Sequence, residues 1–202
     1  MRLNLNTAKR CEICRMHTPL CICQEVKQIS TKTRLIIAMH IAEKNKPSSS
    51  ARLLKLALPN SEIRYQGLIN EPLDTDNILS AERDTYLLYP EADLKPADLL
   101  KNPKPINLLV PDGTWQQAKK IAAALTLQLK VPRLSIPGME SSNYKLRVAD
   151  RQGRLSTLEA VARVLEVLEG PEVRQQLERL FQTMVERVMI SRNGRKAPMK
   201  KA

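Results

Sequence analysis

Four cysteines lie within thirteen residues near the start of the chain, in the pattern C-x2-C-x6-C-x-C: Cys11, Cys14, Cys21 and Cys23. Four thiolates at this spacing suit tetrahedral zinc, because two close pairs can hold the ion from two short turns. Four sulfur ligands leave no open coordination position, so the sequence predicts a structural zinc knuckle. His17 lies between the pairs and is an alternative ligand, but we interpret it as a bystander because the cysteines already complete the shell.

A carboxylate stands at Asp112, directly after an apolar run that predicts a strand. At the end of a parallel strand, a carboxylate reaches the edge where open α/β sheets bind ligands, and there it can accept a proton from a substrate N–H. The sequence Pro111-Asp112-Gly113 is also a good turn, and spacing alone leaves the structural and the catalytic interpretation equal. Taken singly, Thr114 and Trp115 predict a helix N-cap and a packing residue.

Three further polar residues have both a structural and a functional interpretation. His40 ends a predicted strand, where a lone histidine is usually a hydrogen-bonded structural residue. Arg147 can bind a carboxylate or a phosphate, or stand on the surface. Glu159 falls in the first turn of a predicted helix, where the helix dipole stabilises an acid. No Ser-His-Asp or Cys-His order indicates a hydrolase.

Alternating strands and helices are expected to position these residues. Apolar runs predict strands over 34–41, 62–67, 85–89, 106–110 and 133–137, and capped amphipathic runs predict helices over 51–58, 96–100, 115–125, 157–168 and 171–190. This alternation favours an α/β fold with a mostly parallel sheet and helices on both faces. Ligands would bind in the loops after Tyr89, Val110 and Ile136. The absence of G-x-G-x-x-G and G-x-x-x-x-G-K-[ST] argues against dinucleotide folds and P-loop NTPases.

Composition and charge indicate which kind of molecule the protein binds and where in the cell it is expected. The 202 residues suffice for one good-sized core, alone or with a small appendage. The net charge is +12, and the basic excess at both ends of the chain favours nucleic acid as the partner. Aromatic residues are only 3%, which argues against a single-strand reader built on base stacking. With no apolar run near the roughly 20 residues of a membrane span and no secretory signal, we expect a cytoplasmic protein.

The order of these motifs resembles that of the DTW-domain family, over roughly residues 10–190. The shared motifs are the cysteine cluster, His40-x-x-Glu43, a serine loop before Arg52-Leu-Leu, Leu88-Tyr89-Pro90, Pro111-Asp112-Gly113-Thr114-Trp115, Tyr144-x-x-Arg147 and Leu155-Ser156-Thr157-Leu158-Glu159-Ala160. The chain resembles the bacterial branch, which implies a tRNA-uridine aminocarboxypropyltransferase. Such enzymes move the 3-amino-3-carboxypropyl group of S-adenosylmethionine onto N3 of a uridine in the tRNA variable loop. The resemblance also implies a SPOUT-like fold with a C-terminal trefoil knot that forms the cofactor pocket.

The resemblance further implies roles for individual residues. Asp112 would be the general base, or the group that orients the N3–H, with Thr114 and Trp115 beside it. The expected contacts to S-adenosylmethionine are Leu88, Tyr89, Pro90, Pro111, Leu134, Ile136, Pro137, Tyr144, Arg147, Leu155, Ser156, Thr157 and Glu159. Arg147 would bind the methionine carboxylate, with hydrogen-bonding support near the helix N-terminus. The expected contacts to tRNA are His40, Lys46, Ser48, Ser49 and Arg52, together with the basic ends.

The expected organisation is a zinc-binding segment over residues 1–33, a catalytic DTW, SPOUT-like domain over 34–191 and a basic disordered tail over 192–202. The loop Ser48-Ser49-Ser50 departs from the Ser-Asn-Thr of the family and loses a side-chain amide. Two alternatives stay open: a SPOUT-like RNA methyltransferase with the same cofactor, and a non-catalytic RNA-binding zinc protein. The knuckle would either help to hold tRNA or only clamp the N-terminus, and the chain would be a monomer or a homodimer.

Overall fold

The computed structural model describes residues 5, 8–67, 74–90, 92–138 and 155–196 of the chain. Its five strands form one parallel sheet in the order β2-β1-β4-β3-β5. The strands are β1 (Arg34–His40), β2 (Ser61–Gln66), β3 (Asp84–Leu88), β4 (Ile106–Asp112) and β5 (Arg133–Leu134). The α-helices are α1 (Ser50–Ala57), α2 (Trp115–Leu129), α3 (Thr157–Glu169) and α4 (Pro171–Lys196). Short 3-10 helices span Thr18–Leu20, Cys23–Glu25, Ile41–Glu43 and Pro96–Lys101.

The adjacent interior strands β1 and β4 are buried on both faces because their apolar runs are continuous. Ile36, Ile37 and Leu109 are each fully buried. Successive side chains of a strand point to opposite faces, so Ile37 packs in the core with α1, α3 and α4, whereas Ile36 packs with Ile121 and Leu125 of α2. The predicted α/β fold, a parallel sheet with helices on both faces, is confirmed.

The cysteine-containing segment packs directly against the body of the protein. Met16 and Ile22 are buried in the same hydrophobic core as Leu54 of α1. The backbone N–H of Ile29 also donates to the carbonyl of Ala57, at the end of α1 (2.8 Å). The segment and α1 are thus held to each other by shared apolar burial and by a main-chain hydrogen bond.

The edge strand β5 is shorter than the predicted 133–137. After Leu134, the N–H of Ser135 donates to the carbonyl of Leu94 (2.8 Å), so pairing with β3 stops there. Residues 139–154, between β5 and α3, lie outside the described residues. The predicted C-terminal knot stays a prediction.

Helix α4 is longer than predicted and runs to Lys196 instead of ending near Ile190. The helix contains Gly194, but one glycine weakens a helix by only about 1 kcal/mol relative to alanine and does not by itself end it. Residues 192–196 of the predicted disordered tail are therefore helical, and 197–202 lie outside the described residues. Across the described ranges, no helix combines the length and the apolar character that a membrane span requires.

Candidate active site

Asp112 ends β4 at the carboxyl edge of the sheet, where β4 lies between β1 and β3. The residue is only 7% exposed, and the hydroxyl of Thr157 donates to its Oδ1 at 2.5 Å. Thr157 is the first residue of α3, which a capping box fixes: Ser156 Oγ accepts from the N–H of Glu159, and Glu159 Oε2 accepts from the N–H of Ser156. A local Ser-x-x-Glu signal thus positions the hydroxyl that orients Asp112.

Burial raises the pKa of the Asp112 carboxyl from 3.8 to about 6. The Thr157 hydroxyl opposes this rise in pKa because it stabilises the carboxylate, while the charge of Glu43 adds to the rise and that of Lys46 opposes it. Glu43 and Lys46 form an ion pair with each other at 2.6 Å. Near neutral pH the Asp112 carboxyl is therefore mostly ionised, yet it is more basic than an exposed aspartate, as suits a general base.

Gly113 allows β4 to turn into α2 beside His40. A Cβ at this position would lie 2.9 Å from Cβ of Gln117 and 3.2 Å from Cβ of His40, so only glycine fits without displacement. Thr114 and Gln117 then form a second capping box, in which Thr114 Oγ1 accepts from the N–H of Gln117 and Gln117 Oε1 accepts from the N–H of Thr114. The Thr114 side chain, predicted to be catalytic, thus caps α2.

An apolar cleft opens beside Asp112, at the carboxyl ends of β3 and β4. Eight of the residues predicted to contact the cofactor line it: Leu88, Tyr89, Pro90, Pro111, Ile136, Leu155, Ser156 and Thr157. Its wall is mainly apolar with a few hydroxyl groups, the composition typical of small-molecule sites.

The cleft wall also contains residues that were not predicted as cofactor contacts: Val110, Gly113, Trp115, Ala118, Lys119 and Ala160. On α2, Ala118 and Lys119 lie three and four residues beyond Trp115, and on α3, Ala160 lies three beyond Thr157. Helical spacing from the predicted site residues would have identified all three. Lys119 is the only charged side chain among the described residues of this wall.

A second, polar hollow adjoins the cleft and contains Asp112. The two share the wall made by Gly113, Trp115, Leu155, Ser156 and Thr157. The rest of the hollow is lined by Glu43, Ser48, Ser49, Ser50, Asp112 and Thr114. Asp112 therefore lines the polar hollow, and the residues shared by the two cavities separate it from the apolar cleft.

Several predicted cofactor contacts do not line the cleft. Leu134 is fully buried in the core, and the carbonyl of Pro137 accepts from Nη1 of Arg163 (3.1 Å). Glu159 is engaged in the α3 capping box. Tyr144 and Arg147 lie outside the described residues, so their roles stay predictions.

The predicted tRNA contacts separate into two groups. Ser48 and Ser49 line the hollow, and exposed Lys46 lies beside it through its ion pair with Glu43. By contrast, His40 Nδ1 accepts from the N–H of Ala42 (3.2 Å) and caps a 3-10 helix. His40 thus has a structural function that the sequence also indicated, and the predicted contact with tRNA has no further support in the described residues.

Arg52, the remaining predicted tRNA contact, does not line the hollow. It is partly buried, and its Nη2 donates to the carbonyl of Lys44. Its backbone N–H donates to Oγ of Ser49, the N-cap of α1 (3.4 Å). Arg52 therefore lies one helical turn along α1 from the hollow residue Ser49.

The four cysteines come together and can hold a metal ion. Their Sγ atoms all lie within 4.8 Å of one another, and the Cys11–Cys23 and Cys14–Cys21 sulfurs are each 3.7 Å apart. A tetrahedral zinc with Zn–S bonds of about 2.3 Å has sulfur–sulfur edges of about 3.8 Å, whereas a disulfide needs about 2.05 Å. His17 Nδ1 instead lies 3.1 Å from the carbonyl oxygen of Ala8, which fits the bystander interpretation.

Backbone turns build this cluster. The N–H of Cys11 donates to the carbonyl of Met16 (2.7 Å), and the N–H of Arg15 donates to the carbonyl of Cys11 (2.9 Å). Hydrogen bonding from the backbone of Cys14 lowers the pKa of the Cys11 thiol to about 7, against the effect of burial. Burial raises the pKa of the Cys14 thiol. A bound cation would lower the pKa of each cysteine ligand, because it stabilises the thiolate form.

Comparison with known proteins identifies related sequences. The DTW domain matches residues 8–189 of the chain. A fruit fly (Drosophila melanogaster) protein named tRNA-uridine aminocarboxypropyltransferase 2 is 31% identical over 89% of this chain and 74% of its own length. The protein of the same name from Macaca fascicularis is 29% identical over 83% of this chain and 60% of its own. An Arabidopsis thaliana protein, tRNA-uridine aminocarboxypropyltransferase A, is 28% identical over 87% of this chain and 79% of its own. No solved structure matches the chain.

Proposed function

The chain belongs to the DTW domain family, and from this membership we propose that it is a tRNA-uridine aminocarboxypropyltransferase. It would transfer the 3-amino-3-carboxypropyl group of S-adenosylmethionine to N3 of a uridine in tRNA, in the cytoplasm. The observation that carries the proposal is the position of Asp112, a buried carboxylate in a polar hollow that shares a wall with an apolar cleft. A two-substrate transfer needs this arrangement, because the donor and the acceptor must meet at one base.

The apolar cleft is the proposed binding site for S-adenosylmethionine. Tyr89, Pro90 and Ile136 offer flat and apolar surfaces for the adenosine, and Trp115 stands at the wall shared with the hollow. When bound, the sulfonium supplies an activated carbon and a neutral thioether leaving group, so the reacting carbon needs no metal. Lys119 offers the positive charge that the methionine carboxylate requires, next to the predicted contribution of Arg147.

The polar hollow is the proposed site for the uracil ring. Asp112 accepts the N3 proton while N3 forms its bond to the aminocarboxypropyl carbon and the bond from that carbon to sulfur breaks. The products are then the modified uridine, protonated Asp112 and 5′-methylthioadenosine. Thr157 holds the Asp112 carboxylate in orientation throughout. The hydroxyls of Ser48 and Ser50 offer donors for the carbonyl oxygens of uracil.

The choice of transferred carbon depends on how the methionine part is held. A methyltransferase would present the methyl carbon to the hollow, whereas this enzyme must present the aminocarboxypropyl carbon. Residues that bind the carboxylate therefore decide which group is transferred, and Lys119 and Arg147 are the proposed pair.

We also propose that the fold is SPOUT-like with a C-terminal knot. The four cysteines would bind a structural zinc ion, since two sulfur pairs lie 3.7 Å apart and all four sulfurs lie within 4.8 Å of one another.

Nucleoside mass spectrometry tests the proposed function. The purified protein is incubated with S-adenosylmethionine and unmodified tRNA, and the digested tRNA is searched for a modified uridine. The proposal predicts a mass gain of one aminocarboxypropyl group. A methyl-sized gain would replace it with the methyltransferase alternative. Binding of tRNA without any mass gain would favour the non-catalytic alternative.

A further inference from the structure

Two arginines at the junction of the cysteine segment and α1 have buried nitrogens without a partner. The Nε atoms of Arg15, directly after Cys14, and of Arg52, in the first turn of α1, are both buried and make no hydrogen bond within the described residues. Both side chains are only partly exposed. A buried N–H without an acceptor is costly, so the two guanidinium groups are held at this junction without complete hydrogen bonding.

A third cation belongs to the same cluster. Arg52 Nη2 donates to the carbonyl of Lys44, and Nζ of the exposed Lys44 lies 4.8 Å from the ring centre of Tyr65. Among the described residues, no carboxylate oxygen comes within 4.0 Å of the side-chain nitrogens of Arg15, Lys44 or Arg52. The cluster therefore has three positive charges and no carboxylate partner among the described residues, and Tyr65 and Cys14 are the nearby groups whose negative charge would act on Arg52.

The two guanidinium groups are close enough to influence each other electrostatically. Loss of hydration lowers the pKa of Arg52, and repulsion from the charge of Arg15 lowers it further. Tyr65 and Cys14 act in the opposite direction. Like charges in partly buried positions destabilise each other unless an anion lies between or beside them.

We propose that Arg15, Lys44 and Arg52 together bind one phosphate group of the tRNA backbone. The proposal rests on the proposed function, which supplies tRNA as the substrate. The nitrogens open to an external phosphate are the remaining Nη groups of Arg15 and Arg52 and Nζ of exposed Lys44, since both Nε atoms are buried. Phosphate supplies oxygen acceptors for these accessible nitrogens and a negative charge beside the three cations.

The position of the cluster fits a phosphate next to the modified nucleotide. Ser49, which lines the hollow, caps the helix turn that contains Arg52. Lys44 and the hollow residue Glu43 are neighbours in the chain. A uridine in the hollow would therefore place its flanking backbone near Arg52, and the metal cluster would serve tRNA binding by fixing Arg15 beside Cys14.

The test is the salt dependence of tRNA affinity, measured without turnover. The double variant Arg15→Gln/Arg52→Gln is compared with Lys101→Gln/Lys104→Gln, which removes the same charge from exposed positions before β4, toward the other edge of the sheet. Loss of one phosphate contact lowers the slope of log affinity against log salt by about 0.7–0.9 and weakens binding on the order of tenfold. The Arg15/Arg52 variant should show both changes and the control neither. Equal slopes for the two variants, or no salt-dependent tRNA binding by the wild type, would overturn the proposal.

Lys44→Gln keeps the proposal testable if the arginine variants lose their metal. Lys44 is exposed, so its substitution should preserve the metal content and the affinity for S-adenosylhomocysteine. On its own it should weaken tRNA binding several-fold, and in the Arg15/Arg52 background it should add nothing, because all three groups hold one phosphate. If the arginine variants lose metal while Lys44→Gln keeps the wild-type slope, the arginines serve the metal centre and the phosphate site is wrong. If the slopes change as expected but no modified uridine forms, only the proposed reaction fails.

Discussion

The Thr157 hydroxyl donates to Oδ1 of Asp112 at 2.5 Å and so joins two residues that are 45 positions apart. Asp112 ends the central strand β4, and Thr157 begins α3. The bond fixes the direction of the carboxylate and leaves the second carboxylate oxygen for a substrate proton. Burial makes this oxygen more basic, and the hydroxyl limits that effect.

Asp112→Asn should lower turnover at least a hundredfold, the lower end of what a general base contributes. Asparagine retains the shape but cannot accept the N3 proton. Affinities for tRNA and S-adenosylhomocysteine should change less than threefold, as measured by titration of each ligand. Turnover within threefold of the wild type would exclude Asp112 as the base.

The same Asp112→Asn substitution should stabilise the fold near pH 7. The native pKa of Asp112, about 6, lies above its ordinary value of 3.8, so the native state binds more protons between these values and stability falls as pH rises through them. At neutral pH the ionised group costs up to about 3 kcal/mol, a cost that asparagine removes. Denaturant unfolding should show the difference at pH 7 and its loss below about pH 4. A variant less stable than the wild type at pH 7 would contradict the assigned burial.

Thr157→Val should raise the pKa of Asp112, because it removes the hydroxyl that stabilises the carboxylate. The acidic limb of the profile of kcat/KM against pH, expected near pH 6 in the wild type, should move to higher pH. Thr157→Ser keeps the hydroxyl and should leave the limb in place. If valine and serine gave the same profile, the hydrogen bond would have no part in setting the basicity of Asp112.

Lys119→Met should weaken S-adenosylhomocysteine binding on the order of tenfold, the loss expected for one charge-assisted hydrogen bond. Binding of 5′-methylthioadenosine should not change, because that nucleoside lacks the carboxylate. The neighbouring Lys120 is exposed and does not line the cleft, so Lys120→Met is the matched control. Calorimetric titration of both ligands measures the difference. Equal losses for the two ligands would show that Lys119 does not contact the carboxylate.

Cys11→Ser should remove the metal ion and destabilise the cysteine segment before it affects cofactor binding. His17→Gln is the control and should keep the ion, since the clustered ligand atoms are the four sulfurs. Metal content per chain is measured by elemental mass spectrometry. One bound zinc per chain in the Cys11 variant would contradict a four-thiolate site.

Strands and turns whose formation depends on the local sequence were predicted correctly. Continuous apolar runs predict the buried central strands, and the turn after β4 predicts the edge position of Asp112. The edge strand β5 is shorter than the predicted 133–137 because Ser135 bonds to Leu94 instead of β3. The local sequence does not indicate which partner Ser135 takes.

The pairing of Asp112 with Thr157 depends on where α3 returns to the sheet, and so does not follow from spacing. Lys119 was not predicted as a cofactor contact, although it lies one helical turn from Trp115 and helical spacing indicates that it shares the face of Trp115. The proximity of Arg15 to Arg52 arises from packing of the cysteine segment on α1, and nothing in the local sequence of either residue indicates it.

The most direct test of the account follows two labels from S-adenosylmethionine, one in its carboxyl carbon and one in its methyl group. Transfer of the aminocarboxypropyl group predicts that the carboxyl label enters tRNA while an equal amount of the methyl label leaves as 5′-methylthioadenosine. Entry of the methyl label into tRNA, or of neither label when tRNA is bound, would contradict it.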